Sequence, residues 1–150
     1  MSTTSINVLG YARNKEQFVV KTQNADVRIG TNSRYPELSG ASPYEYILAG
    51  FAGCINEIGK VVAAELNFEL KSLQIEISGD LDFQKFEGIP TGERAGFSRI
   101  EIVLKPTTEA TLEELQQWLK IVQFRSPVYD NLINSTPVEL VLYKEYSHVA

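Results

Sequence analysis

A helix-start signal followed by a long apolar run is the feature that most constrains how this chain can fold. Ser42 can cap a helix, Glu45 can reach back to the Ser42 amide, and Pro43 suits the first helical position. Apolar residues then recur at helical spacing as far as Leu66. Since the stretch 46–55 is apolar on nearly every face, we expect a long, buried central helix.

The remaining elements come in runs on either side of this helix. Alternating apolar residues predict strands at 6–11, 17–21, 26–31, 73–83, 97–104 and 138–146. Further helices start at Thr111, which opens a second capping box, and at Ser126-Pro127. The helix from Thr111 is expected to turn an apolar side inward, formed by Leu112, Leu115, Trp118, Leu119 and Val122. Because strands do not alternate with helices, the order predicts an α+β fold with antiparallel pairing.

Length and composition limit the classes of function. The 150 residues fit one domain, 1–150, and the net charge of -5 without a Lys/Arg-rich run argues against nucleic-acid binding. Neither a Gly-rich phosphate loop nor a metal-ligand cluster is visible, so we expect no cofactor and no metal. The uncharged stretch 46–55 is far shorter than the roughly 18 residues of a membrane span, and the N-terminal pattern is not that of a secretory signal. The expected location is therefore the cytoplasm.

Cys54 is the single cysteine, which excludes an intrachain disulfide and a multi-thiolate metal site within one chain. Its simplest interpretation is a small buried hydrophobe. A reactive thiol would need its thiolate stabilised, and Cys54 lies about three turns into its helix, beyond the reach of the helix dipole. A cation would have to approach it. The single histidine, His148, is interpreted as a solvated tail residue, which leaves no basis for a histidine-based triad.

Four segments resemble, in order, motifs of the OsmC/Ohr family, the osmotically induced and organic-hydroperoxide-resistance proteins. The segment 42–54 resembles the central-helix motif that ends in the reactive cysteine, and 80–104 is similar to the middle of the family. Residues 123–132 resemble a Cys-Pro helix start, and 134–138 resemble the approach to the last strand. The resemblance, from about residue 40 to 142, implies an OsmC-like fold and an intertwined homodimer with its thiol pockets at the subunit interface.

The chain departs from this family at Ser126, where the family's peroxidases carry a second cysteine. In those enzymes the peroxide oxidises the first thiolate to a sulfenic acid, which the second cysteine resolves as a disulfide. A serine hydroxyl cannot do this, so an oxidised Cys54 would need an external thiol or would be oxidised further to a sulfinic acid. Ser126 is also fully explained as the helix cap before Pro127.

The resemblance implies two further site residues. Glu45 matches the acidic residue that holds the activating arginine, and it serves equally well as half of a capping box. The arginine comes from the N-terminal region in the family, where Arg13 is the best match. Arg94 and Arg125 are the alternatives, and each of the three can also be an ordinary surface charge.

Three hypotheses about function follow. The first is a homodimeric, OsmC-like one-cysteine peroxidase that reduces organic hydroperoxides through Cys54 with an external thiol as reductant. The second is a non-catalytic protein on the same fold that binds a small hydrophobic ligand. The third is a structural dimer with an inert Cys54. None of the three involves nucleic acid or a membrane.

Overall fold

The structure, a computed structural model, describes residues 2–12, 17–30 and 40–144. Its elements confirm the predicted α+β class, with three strands, a long helix, two strands and two further helices in chain order. They are β1 (Leu9–Ala12), β2 (Gln17–Lys21), β3 (Asp26–Gly30), α1 (Pro43–Glu65), β4 (Ser72–Asp80), β5 (Arg99–Thr107), α2 (Leu112–Arg125) and α3 (Pro127–Ile133).

The strands of the described part form two antiparallel sheets. One has the order β1-β2-β3, and residues 22–25 connect β2 to β3. The other pairs β4 with β5 along their whole length, from Ser72 opposite Thr107 to Asp80 opposite Arg99. Alternate residues of β4 and β5 are half-buried, as expected of a sheet with one face on a core and one in solvent.

The ends of α1 are set by local chemistry. The Ser42 hydroxyl accepts the Glu45 amide at 3.1 Å, and the Glu45 carboxylate accepts the Ser42 amide at 3.0 Å. This confirms the predicted capping box. At the other end Asn67 adopts the left-handed conformation, with φ of 61°, which only glycine and a few polar residues such as asparagine tolerate readily.

The core lies where α1 packs against α2 and the β4–β5 sheet. Its buried apolar residues are Phe51, Ile55, Val62, Ala63, Trp118 and Val122. The helix α1 is buried on one side only, since Ile47 and Val61 remain 46% and 43% exposed. The sequence predicted burial on nearly every face, but the described chain has only enough elements to cover one side.

Two predictions about side chains and strands are wrong. Leu112 is 72% exposed because it is the first residue of α2, and Leu119 is also exposed, at 39%. Residues 138–144 form no strand, since no other described segment pairs with their backbone. The last two residues of that predicted strand lie outside the described residues.

The bounds of β4 and β5 also differ from the predicted ones. β4 ends at Asp80, before the turn in which the Asp82 carboxylate accepts the Gln84 amide at 2.8 Å. β5 begins at Arg99, and the ring of Phe97 just before it covers Gly79, where a Cβ atom would lie only 2.6 Å from that ring. A glycine within the predicted strand thus makes room for an aromatic side chain.

Of the described helices, α1 alone is long and apolar enough to cross a membrane, with a mean hydropathy of 1.5. The criterion covers length and composition only, and core helices of soluble proteins meet it as well. In this structure α1 packs against β4, α2 and α3.

Candidate active site

The structure brings Cys54 and Ser126 into direct contact, although 72 residues separate them in the chain. The Cys54 Sγ and Ser126 Oγ atoms lie 3.2 Å apart. Cys54 is half-buried on α1, whereas Ser126 is 1% exposed at the junction of α2 and α3. The position at which the resemblance places a second cysteine is therefore adjacent to the thiol.

Ser126 is held in place by its role as a helix cap. It has an extended backbone, with φ of -81° and ψ of 113°, and Pro127 follows as the first residue of α3. The residue before a proline is disfavoured in the helical conformation, which explains why α2 ends here. The Ser126 hydroxyl accepts the Tyr129 amide at 3.2 Å, which confirms the predicted cap.

Two aromatic rings lie next to this contact. Phe51 and Tyr129 stack with their centroids 6.2 Å apart and their planes 19° from parallel. Phe51 lies three residues before Cys54 on α1, and Tyr129 lies three residues after Ser126. This spacing places each ring about one helical turn from one member of the pair. Neither ring was among the predicted site residues, although helical spacing from Cys54 and Ser126 indicates both.

The stacked rings form part of the wall of an open cleft of about 470 Å³. The cleft lies between the α1–α3 junction and the β5 strand. Its lining includes Phe51, Arg94, Phe97, Ile102, Tyr129 and Leu132. Cys54 is not among the lining residues of this cleft. The lining also contains polar side chains, so a ligand of modest size with an apolar body and a polar group would fit its chemistry. They are Arg94, Ser98, Arg99 and Asn131.

Glu45 lies at the first turn of α1, exposed to solvent. The hydrogen bond from the Ser42 backbone amide and the one with the Ser42 side chain hold its pKa below the ordinary value. Its Oε1 atom accepts the Ser42 amide. Among the described residues, no arginine forms an ion pair with this carboxylate.

The three candidate arginines have different positions. Arg13 lies outside the described residues. Arg125, the last residue of α2, pairs with Glu65 on α1, with 2.6 Å between Nη1 and Oε2. Arg94 is exposed at the rim of the cleft. Within the described part of the chain, Cys54 Sγ hydrogen-bonds Ser126 and neither Arg94 nor Arg125.

The described residues contain no group of three or more His, Cys, Asp or Glu side chains that could hold a metal ion. The chemistry available at the site is that of one thiol, one buried hydroxyl and the aromatic cleft beside them.

Comparison with known proteins found a matching family model and several similar structures. The sequence model of the family described as OsmC-like protein matches residues 35–141. The crystal structure of an OsmC-like protein from Mycoplasma pneumoniae is similar over 89% of this chain and 91% of that chain, with a TM-score of 0.78 and 14% identity. No curated protein matches this chain by sequence.

Two further similar structures carry names that refer to hydroperoxides. The organic hydroperoxide resistance protein OhrB of Bacillus subtilis has a TM-score of 0.58 at 18% identity, over 88% of this chain and 93% of that chain. An organic hydroperoxide resistance protein OsmC from Legionella pneumophila has a TM-score of 0.61 at 15% identity, over 90% and 93%. At these identities the structural comparisons show the fold alone.

Proposed function

Since this chain belongs to the OsmC-like protein family, we propose that it is a thiol peroxidase that reduces organic hydroperoxides through Cys54. The observation that carries the proposal is the contact of the Cys54 sulfur with a buried hydroxyl beside an aromatic cleft. The names of the similar Bacillus subtilis and Legionella pneumophila proteins support organic hydroperoxides as the substrate class.

In the proposed reaction the Cys54 thiolate attacks the terminal oxygen of a hydroperoxide, ROOH. A sulfur–oxygen bond forms and the oxygen–oxygen bond breaks. The alkoxide that leaves takes up a proton and becomes the alcohol ROH. The sulfur is thereby oxidised to a sulfenic acid and the peroxide is reduced.

The catalytic cycle needs a reductant from outside the chain, because the sequence holds no second cysteine. An external thiol attacks the sulfenic sulfur, releases water and leaves a mixed disulfide on Cys54. A second thiol then attacks the mixed disulfide, which frees the Cys54 thiol and forms the oxidised reductant. A dithiol can supply both sulfur atoms in turn.

The proposed charge partner of the thiolate is Arg13, held by Glu45. The Oε1 atom of Glu45 accepts the Ser42 amide, and in the proposed arrangement the arginine donates to the same carboxylate. Because the pKa of Glu45 lies below its ordinary value, the carboxylate is ionised at neutral pH and can pair with a cation. The capping role and the arginine-holding role of Glu45 are therefore compatible.

The proposed assembly is a homodimer in the cytoplasm, where thiols stay reduced. Exposed apolar side chains on α1 and in the C-terminal segment support a partner of the same kind, because a monomer rarely leaves so much apolar surface in water. They are Ile47, Val61, Val138, Leu140, Val141, Leu142 and Tyr143. Sedimentation of the wild type at the monomer mass would refute the dimer.

The proposed activity is tested by supplying the purified protein with a dithiol and cumene hydroperoxide and following the loss of peroxide. The wild type is expected to consume it well above the rate of Cys54→Ser, which removes the nucleophile at nearly constant volume. Hydrogen peroxide is expected to react more slowly, because the aromatic cleft favours an apolar substrate. Equal peroxide consumption by the two proteins would refute the function.

A second candidate function is non-catalytic binding of a small hydrophobic ligand. The observation that favours it is that Cys54 does not line the aromatic cleft, which could therefore be filled without contact to the thiol. Binding of an apolar ligand with the same affinity in wild type and Cys54→Ser, with no peroxide turnover, would support it. No change in melting temperature across a panel of apolar ligands would refute it.

A further inference from the structure

Among the described residues, the hydroxyl proton of Ser126 has one acceptor, the sulfur of Cys54. The oxygen accepts the Tyr129 amide, and a backbone amide cannot reverse its role as donor. The other hydrogen bond of this hydroxyl is with Cys54 Sγ. Because Ser126 is 1% exposed, bulk water does not compete for the proton. A serine has one O–H donor, and here the sulfur is the acceptor that the described residues offer it.

From this geometry we infer that Ser126 is a positioning residue that donates its hydroxyl proton to the Cys54 sulfur and stabilises the thiolate. A neutral thiol can donate or accept, but a thiolate can only accept. Because the oxygen keeps the Tyr129 amide as its donor, the hydroxyl can donate to a Cys54 thiolate without giving up its helix cap. The inference rests on the proposed function in taking Cys54 as the reacting group.

The amide of Tyr129 strengthens this donor. An O–H group whose oxygen accepts a hydrogen bond is polarised and donates more strongly. A hydrogen bond to an ionised group is also stronger than one between neutral groups, and burial reduces the competition from water. The position that carries a second cysteine in the family's peroxidases thus supplies, in this chain, a hydrogen bond instead of a second thiol.

The charged groups nearby have other partners or lie in solvent. On α2, Arg125 pairs with Glu65 of α1. On α3, the Asp130 carboxylate accepts the Asn134 side-chain amide at 3.0 Å. On α1, Glu57 and Lys60 are exposed. Among the described residues, the hydroxyl of Ser126 is therefore the group that acts directly on the sulfur.

The test is the pH dependence of the rate at which iodoacetamide alkylates Cys54, the single thiol of the chain. Ser126→Ala removes the donor, so the midpoint of the profile is expected to rise by about one pH unit. The rate on the high-pH plateau is expected to be no lower than in the wild type, because a less stabilised thiolate is more nucleophilic. Ser126→Thr keeps the hydroxyl and should restore the wild-type midpoint.

Two controls separate this role from helix capping. Ser126→Gly also lacks the hydroxyl, but glycine is accepted at a helix cap, so this variant serves even if the alanine protein does not fold. Thr111→Ala removes the cap of α2, whose hydroxyl accepts the Glu114 amide at 3.1 Å. It should lower the melting temperature without moving the midpoint.

Wild-type midpoints in both Ser126→Ala and Ser126→Gly would overturn the inference, as would an equal shift in Thr111→Ala. Because alkylation uses no peroxide, this result is independent of the proposed activity. If the protein consumes no peroxide but the midpoint shifts in the Ser126 variants, the inference about Ser126 stands and the proposed peroxidase function is refuted.

Discussion

The indole ring of Trp118 lies directly over Gly59 and ties α2 to α1. The indole N–H donates to the Gly59 carbonyl oxygen at 2.8 Å, with the ring only 2% exposed. A Cβ atom at residue 59 would lie 2.9 Å from the Cζ2 atom of the ring. A side chain at residue 59 would therefore press on the buried ring at the point where the two helices meet.

Gly59→Ala is expected to destabilise the protein. Alanine gains about 1 kcal/mol of helix propensity over glycine, but overpacking against a buried ring costs about 1–3 kcal/mol. We expect a net loss of up to about 2 kcal/mol in the free energy of unfolding, measured by urea denaturation. Lys60→Ala, on the exposed side of the same helix, is the matched control and should stay within about 0.5 kcal/mol. An alanine variant as stable as the wild type would show that the ring can move.

Ser126→Cys is expected to create a resolving thiol. With 3.2 Å between the two side-chain atoms in the wild type, a cysteine sulfur at residue 126 would be close enough to attack a Cys54 sulfenic acid. After treatment with an organic hydroperoxide, mass spectrometry and thiol titration should find an intrachain disulfide and no free thiol. Ser78→Cys, on the exposed side of β4, is the control and should leave its added thiol free. A free thiol at residue 126 beside an oxidised Cys54 would contradict the prediction.

The three arginines are expected to differ in their effect on the thiol. Arg125 is occupied by Glu65, and Arg94 lies at the cleft rim without a contact to the sulfur. Arg125→Gln and Arg94→Gln should therefore leave the alkylation rate of Cys54 at neutral pH within about twofold of the wild-type rate. Arg13→Gln should lower this rate about tenfold, which corresponds to the loss of one charge-assisted hydrogen bond. If the alkylation rate falls more in Arg94→Gln or Arg125→Gln than in Arg13→Gln, that arginine and not Arg13 is the charge partner of the thiolate.

Glu45 is expected to make stability depend on pH in the acid range. Its folded-state pKa lies below the ordinary value of 4.5, so its contribution is complete above that value and disappears as the pH falls through the lower folded-state value. Glu45→Gln keeps an acceptor for the Ser42 amide but cannot titrate. The free energy of unfolding is measured by urea denaturation at several values between about pH 6 and about pH 3, on either side of the carboxylate range. It should fall less steeply with decreasing pH in Glu45→Gln than in the wild type. Glu113→Gln, in the exposed first turn of α2, is the control, and an unchanged slope in Glu45→Gln would contradict the expectation.

Local features of the fold could be predicted because they depend on neighbours in sequence. The capping boxes that begin at Ser42 and Thr111 involve residues only three apart, so the sequence alone predicts them. Residues 138–144 of the predicted strand 138–146 form no strand, because a strand needs a partner to pair with. The periodicity of a sequence does not show whether such a partner is present. Leu112 has the helical spacing of the core residues, but spacing does not show that the first residue of α2 lies outside the packed region.

By itself the sequence determined that a capped, apolar helix carries a single thiol, that an α+β domain surrounds it, and that no second cysteine is available to resolve an oxidised Cys54. Only the tertiary structure decided that the Ser126 hydroxyl contacts the Cys54 sulfur and that Phe51 and Tyr129 stack in the wall of a cleft that Cys54 does not line. The physical reason is the separation along the sequence of the residues that interact. Caps and helical periodicity arise from residues a few positions apart, whereas a contact between side chains 72 positions apart depends on how whole helices pack, which is set by buried pairs such as Gly59 and Trp118.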